Sequence, residues 1–293
     1  MKTQAQKNAR FRELLDNPGL IHVPVCYDVF SARICEQAGF DIVAMGGNGT
    51  MASHIGWPDM SIACGSEMYG RARQISQRID IPLYCDSDAG YGGLVNVMRT
   101  VREYEAAGAS GIHLEDQVQE KKRCGQIQGV EVIDRDEAVE KVKIALKSRK
   151  DPNFIIVART DCMEAGLGVD EAIKRCKMFA DAGADVVFPC CVWDESDMRK
   201  VCKELDGLHI VADIAELDRE HCYGDKELSE MGFKIATHGV STIYGVGGFL
   251  RDFYRSLKET GNVMDFFDRM MTYEEYNGAL GIDEVLNIRQ LLD

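Results

Sequence analysis

Short apolar, β-branched runs recur along the chain, separated by amphipathic stretches that close on a glycine. Cys35-Glu-Gln-Ala-Gly-Phe-Asp-Ile-Val-Ala-Met45 sets the pattern. It returns in kind at Tyr104-Glu-Ala-Ala-Gly-Ala-Ser-Gly-Ile-His-Leu114, Phe179-Ala-Asp-Ala-Gly-Ala-Asp-Val-Val-Phe188 and Leu228-Ser-Glu-Met-Gly-Phe-Lys-Ile-Ala236. Each glycine suits the left-handed residue that ends a helix, and the run after it suits a strand buried on both faces. Eight strands are predicted, near 21–25, 41–46, 82–87, 111–116, 154–159, 185–189, 209–213 and 233–237. Helical periodicity fills the intervals, as from Met98 to Ala107, Arg135 to Lys147 and Val169 to Ala182. Alternating strands and helices imply a parallel sheet. Eight units in about 240 residues fit an α/β fold of the (β/α)8 TIM-barrel type, with a doubly wound open sheet as the alternative. Val263 to Asp293 reads as further amphipathic helix. No linker or charge block divides the chain, so one barrel domain over 1–293 is expected, with a helical extension from about 261 to 293.

Composition narrows the function. The 34 Lys and Arg against 48 Asp and Glu leave a formal charge of −14. So acidic a chain lacks the positive field that nucleic-acid binding requires. No run reaches the roughly 18–20 apolar residues of a membrane span, and Met1 to Leu15 has no apolar signal region, so a cytoplasmic protein is expected. Eleven cysteines include no C-x-x-C pair. In a reducing compartment most serve as small core hydrophobes.

Candidate chemistry collects where the predicted strands end, the active-site face of a barrel. Strand three ends Tyr84-Cys-Asp-Ser-Asp-Ala-Gly-Tyr-Gly-Gly93 and strand four His113-Leu-Glu-Asp-Gln117. Strand five ends Ala158-Arg-Thr-Asp161 and strand seven Ala212-Asp-Ile-Ala-Glu216. Asp86, Asp88, Glu115 and Asp116 are expected to converge, and gathered carboxylates need a cation or a proton among them. Oxygen donors with no His or Cys pair suit Mg2+, with Mn2+ as the substitute; otherwise Asp88-Ala-Gly-Tyr-Gly92 is an Asp-Gly turn. Arg159 closes an apolar strand and requires an anionic partner, either a protein carboxylate or a bound carboxylate or phosphate.

Residues 118–134 form a long connection without a helical stripe, as lids do. Cys124 stands at its centre, after Lys121, Lys122 and Arg123. A thiol among cations is placed for reactivity, unless it is an incidental surface cysteine. The six histidines show no ligand spacing; His54, His113 and His238 read as packing or supporting residues. Gly245-Val-Gly-Gly248, placed between strand eight and a helix, is a weak phosphate-loop signal.

Together Gly46-Gly47, Gly56-Trp-Pro-Asp59, Asp86-Ser-Asp-Ala-Gly-Tyr-Gly92, His113-Leu-Glu-Asp-Gln117, Lys122-Arg-Cys-Gly125 and Ala158-Arg-Thr-Asp161 appear in one order. In this the chain resembles the isocitrate lyase and phosphoenolpyruvate mutase superfamily over about residues 20–260, especially its 2-methylisocitrate and 2,3-dimethylmalate lyases. The resemblance implies a barrel whose last helix swaps between subunits of a homotetramer. It implies Mg2+ held by Asp86 and Asp88, with Glu115 acting through water. It places the substrate against Gly46, Gly47 and Arg159, with Asp59 orienting its metal-bound end and Lys122, Gly125 and Gln126 in the lid. Cys124 would protonate the departing carbon in a retro-aldol cleavage of a di- or tricarboxylate to pyruvate or a related keto acid.

The chain departs from the family pattern at the distal end. Gln126 replaces a lid histidine, Cys190 a glutamate after Phe188-Pro189, and Asp213 and Ala215 stand where Asn and Thr or Ser bind a distal carboxylate. The alternatives are hydrolysis of oxaloacetate to oxalate and acetate, a phosphonopyruvate-type phosphonate enzyme, and a barrel that binds an acid without catalysis. The Lys-Arg-Cys-Gly lid argues against the phosphonate branch.

Overall fold

A computed structural model describes residues 2–124, 127–214 and 221–292. Its eight parallel strands are β1 (Ile21–Cys26), β2 (Val43–Met45), β3 (Leu83–Asp86), β4 (Gly111–Glu115), β5 (Ile155–Thr160), β6 (Val186–Pro189), β7 (Val211–Ile214) and β8 (Ile235–His238). They hydrogen-bond in the order β6-β5-β4-β3-β2-β1-β8-β7. The remaining seam between β6 and β7 is narrowed by the parallel bridge Val187–Ile210, where the Val187 amide donates to His209 O at 2.9 Å. The sheet is thus a nearly closed barrel, and the open-sheet alternative is set aside.

Strand burial is almost continuous, as in β3, β4 and β6, because helices cover the outside and side chains fill the inside. Val23, Tyr84, Ile155, Val157, Phe188 and Val211 belong to the interior cluster. Phe11 and Leu15 of an N-terminal helix, Gln4–Asp16, complete that cluster, and the Phe11 ring meets Tyr84 edge-on at 6.1 Å. This helix went unrecognised in a segment read only for export signals. Its capping box, Thr3 with Gln6, and the apolar spacing Phe11, Leu14 and Leu15 were the signals available.

One feature of the C-terminal region differs from expectation. Gly245 to Gly248 lie inside the helix Ser241–Thr260 rather than in a loop before it, so they form no phosphate loop. The extension beyond about 261 is helical in short pieces, with helices at Tyr273–Leu280 and Ile282–Leu286 between 3-10 turns. Gly281, at φ +74°, breaks the periodic pattern between the two helices. Tyr273–Leu280 packs back on the helix Val29–Gln37, with Tyr276 and Phe30 rings 5.6 Å apart. The helix Ser241–Thr260 has no buried residue and exposes Tyr244, Val246, Leu250, Tyr254 and Leu257. Among the described residues no helix is long and apolar enough to cross a membrane.

Candidate active site

The carboxyl ends of the strands enclose one pocket that brings together most of the residues singled out in the sequence. Gly46, Gly47, Asp59, Asp86, Glu115, Lys122, Cys124, Arg159, Cys190 and Asp213 all line it. Gly125, Gln126 and Ala215 lie outside the described residues.

One end is acidic. Asp86, the last residue of β3, accepts from the amides of Gly47 and Asp88 at 3.0 Å each and sits 2.9 Å from His113 Nε2. Burial alone would raise its pKa, but His113, Lys122 and Arg159 outweigh it and hold the carboxyl well below the usual range. Asp88 adopts a left-handed backbone, which Asp tolerates, and its carboxylate lies 2.7 Å from Lys122 Nζ. The Asp-Gly turn and the acidic site are therefore the same feature. Gly90, two residues on at φ +86°, could carry no side chain: a Cβ would stand 2.6 Å from Val97.

Glu115 is buried, and neither carboxylate oxygen has a hydrogen-bond partner among the described residues. Burial raises its pKa well above the ordinary value against the pull of Arg159, which stands 3.7 Å away. Asp116 does not converge with the others. Successive strand residues face opposite sides, and Asp116 turns outward to bond Arg175 at 2.8 Å and the Asp161 amide at 2.9 Å. Asp59 takes the vacated place, since an added Cβ on Gly47 would touch both Asp86 Oδ2 and Asp59 Oδ2.

The lid is seated over this end. Its two ends pair as an antiparallel bridge, Gln117 with Val132, and the Gln117 side chain braces the Arg123 backbone through both its amide atoms. The Cys124 amide donates to Asp59 O at 3.0 Å. Lys122 does not offer its charge to solvent: its buried ammonium bonds Asp59 and Asp88. Burial would lower its pKa, but the carboxylates around it raise it, so the side chain is a fixed cation. Cys124 is shifted by its surroundings as well. Burial and Asp59 push its pKa up, against weaker effects of Asn48, Lys122 and Arg159. The thiol keeps its proton at neutral pH and accepts from Asn48 Nδ2 at 3.3 Å.

Arg159 has found a protein partner. Its Nε and Nη2 donate to Asp161 Oδ1 at 3.0 and 2.6 Å, and its guanidinium lies 5.4 Å from the centre of the Phe188 ring. That clamp sets the direction of the remaining Nη1 edge, which faces Glu115. The Gly46 and Gly47 amides are also engaged, to Cys26 O at 3.2 Å and to Asp86.

The residues fit a hard divalent cation by donor chemistry: the carboxylates are buried, all-oxygen, and in Glu115 unpartnered. Asp86, Asp88 and Glu115 do not, however, gather their oxygens within 4.8 Å of one another. An ion there would keep waters between itself and part of the set, as Mg2+ commonly does.

Sequence reasoning missed several residues that line the pocket or fix its members: Asn48, Tyr84, Asp161, Cys191 and Trp193. Trp193 Nε1 is a buried donor with no partner among the described residues. His113, read as supporting, joins Asp86 to the Tyr84 hydroxyl, 2.8 Å from its Nδ1. His54 lies apart, beside Arg71.

Residues 11–256 match the family model described as phosphoenolpyruvate phosphomutase. The chain is 36% identical over 280 residues to the 2,3-dimethylmalate lyase of Eubacterium barkeri, with 96% of each covered. It superposes on the structure of oxaloacetate acetylhydrolase in complex with the inhibitor 3,3-difluorooxalacetate with a TM-score of 0.89, at 31% identity, covering 98% of this chain and 96% of the other. Phosphonopyruvate hydrolase in complex with oxalate and Mg2+ superposes with a TM-score of 0.86, at 26% identity, covering 97% and 98%.

Proposed function

The chain belongs to the phosphoenolpyruvate phosphomutase family, within the superfamily that also holds isocitrate lyase, and from that premise we propose that it is a Mg2+-dependent carbon–carbon lyase. Its substrate would be a substituted malate of the 2-methylisocitrate or 2,3-dimethylmalate kind, cleaved to pyruvate or a related keto acid plus a carboxylic acid. The observation that carries this reading is the Cys124 thiol, kept protonated by burial at the lid, facing an acidic pocket end with Arg159 fixed beside it. A general acid must hold a proton to deliver, and this thiol holds one at neutral pH.

Asp86 and Asp88 would hold Mg2+, or Mn2+, with Glu115 acting through water. When bound, the ion supplies positive charge against the oxygens of the keto-acid fragment. Arg159, oriented by Asp161, opposes the negative charge that develops as the carbon–carbon bond breaks. The substrate hydroxyl gives its proton to a carboxylate of the acidic end, which later returns it to solvent, as it becomes the keto oxygen; the bonding pair leaves with the departing carbon, and that carbon takes a proton from Cys124 Sγ. The resulting thiolate recovers a proton from solvent when the lid opens. Asp59 orients the metal-bound end of the substrate, beside Gly46 and Gly47. Lys122 neutralises Asp59 and Asp88 and latches the lid, which Gly125 and Gln126 continue, so that water is excluded. Cys190 and Asp213 line the distal half of the pocket, and Trp193 offers a donor there.

A pyruvate-detecting assay with Mg2+ over methylisocitrate, dimethylmalate, citramalate and oxaloacetate tests the proposal, and release of a keto acid from a substituted malate is expected. The likeness to oxaloacetate acetylhydrolase favours one competing reading. Oxalate and acetate from oxaloacetate, with no keto acid from any malate, would replace the lyase assignment. A cytoplasmic homotetramer exchanging the helix Ser241–Thr260 completes the proposal, supported by that helix's exposed apolar side chains. A monomeric mass by light scattering would refute it.

A further inference from the structure

The far end of the pocket carries a second cluster of different chemistry. Strand β6 ends at Pro189, and the Cys190 amide continues the ladder to Thr160 O at 3.0 Å. Cys191 then takes φ +60°, a left-handed backbone uncommon outside glycine. Adjacent side chains on an extended chain diverge; here the turn brings both sulfurs to one side, 3.5 Å apart. Asp213 Oδ2 on β7 lies 3.6 Å from Cys190 Sγ and 3.8 Å from Cys191 Sγ. Glu164, in the loop after β5, completes the group: ligand atoms of Glu164, Cys190 and Cys191 all lie within 4.8 Å of one another. Both Glu164 oxygens are shielded from solvent, and neither has a nitrogen or hydroxyl donor among the described residues.

These distances correspond to a coordination polyhedron. Tetrahedral zinc, with bonds of about 2.3 Å to sulfur and about 2.0–2.2 Å to carboxylate oxygen, has edges of about 3.8 Å between sulfurs and about 3.5 Å between sulfur and oxygen. The sulfur–sulfur separation of 3.5 Å and the sulfur–oxygen separations of 3.6 and 3.8 Å to Asp213 lie within about 0.3 Å of such edges. Two sulfurs and a carboxylate also select a softer ion than the all-oxygen end of the pocket does. We propose that Cys190, Cys191 and Glu164 form a site for a thiophilic divalent cation, zinc by donor set, distinct from the Asp86 end, with Asp213 beside both sulfurs. Binding breaks no carbon bond and transfers no electrons: the thiol protons leave to solvent as the ion takes their places. Cys190, Cys191 and Asp213 line the pocket itself, so a bound ion would fill its distal end.

The test uses the full chain, kept reduced by a phosphine and saturated with Mg2+. Zinc is titrated by equilibrium dialysis, and cobalt in parallel for its spectrum. One zinc retained per chain is expected, together with thiolate-to-cobalt charge-transfer absorption in the near ultraviolet. Both should disappear in the Cys190→Ser/Cys191→Ser double variant. Glu164→Gln, which keeps both thiols, should weaken zinc retention by at least about tenfold, and it carries the test should the double variant fail to fold. No retained zinc, undiminished retention in either variant, or a cobalt spectrum without charge transfer would each overturn the proposal. None of these readouts depends on the lyase reading, so the two can fail separately.

Discussion

Replacing Gly47 with alanine adds one methyl group at the point where the acidic end of the pocket is tightest. Its carbon would stand 2.6 Å from Asp86 Oδ2 and 2.7 Å from Asp59 Oδ2. Both gaps fall about 0.7–0.8 Å short of ordinary van der Waals contact, and neither carboxylate can retreat freely. Asp86 is held by His113 and by the Gly47 and Asp88 amides, and Asp59 by Lys122. Overpacking costs about 1–3 kcal/mol, and the lost amide bond to a charged carboxylate about 1.5–3 kcal/mol. At roughly 2–4 °C per kcal/mol, Tm should fall by about 5–24 °C. If about 2–3 kcal/mol of that reaches the transition state, kcat/KM falls about 30- to 150-fold. Mg2+ affinity, measured by calorimetry, should weaken with it. Gly70→Ala is the control: it lies within the helix Gly65–Ser76 with nothing within 4 Å of an added Cβ, and should stabilise by about 0.5–1 kcal/mol. Wild-type Mg2+ affinity and turnover in Gly47→Ala would refute the placement of metal and substrate at this end.

Cys124→Ser should lower turnover by orders of magnitude, about 10²-fold or more, while Mg2+ and pyruvate binding stay near wild type; full activity would remove the thiol from the acid role. Because burial raises the Cys124 pKa, the protonated donor persists below that raised value and is lost as pH rises through it. The alkaline limb of the kcat profile should therefore lie above the ordinary thiol value of about 8.5, and move in Cys124→Ser. Lys122→Met leaves Asp59 and Asp88 without their buried cation, costing about 3–5 kcal/mol in chelator; Mg2+ should raise Tm more in this variant than in wild type, and equal shifts would deny that Lys122 neutralises the metal end. Arg175→Met breaks the Asp116 pair outside the pocket and should cost about 3–5 kcal/mol of stability with KM unchanged. A raised KM would return Asp116 to the site.

Much of this protein was legible in one dimension because barrel chemistry is repetitive. Glycine-terminated helices feeding buried runs are local features, and each of the eight predicted runs became a strand. Barrel closure also ensures that residues ending different strands share one pocket, which is why Asp86, Glu115, Arg159, Cys190 and Asp213 could be grouped from position alone. Even the outward turn of Asp116 lay in the parity of β4, though it was not used. What the sequence left undecided is who pairs with whom. Lys122 could be read as a substrate cation until the fold carried it 63 positions back to Asp59. Arg159 could have waited for a ligand until Asp161, two residues on, was seen to clamp it. The protonation of Cys124 was decided across the fold, because burial and Asp59 act through space while the neighbouring cations are spent elsewhere. Likewise only a left-handed turn at Cys191 makes two consecutive cysteines into a pair of converging sulfurs. Local propensity and periodicity reside in the chain and fix the scaffold. Charge pairing, desolvation and coordination depend on distances across it, and those exist only once the barrel has closed.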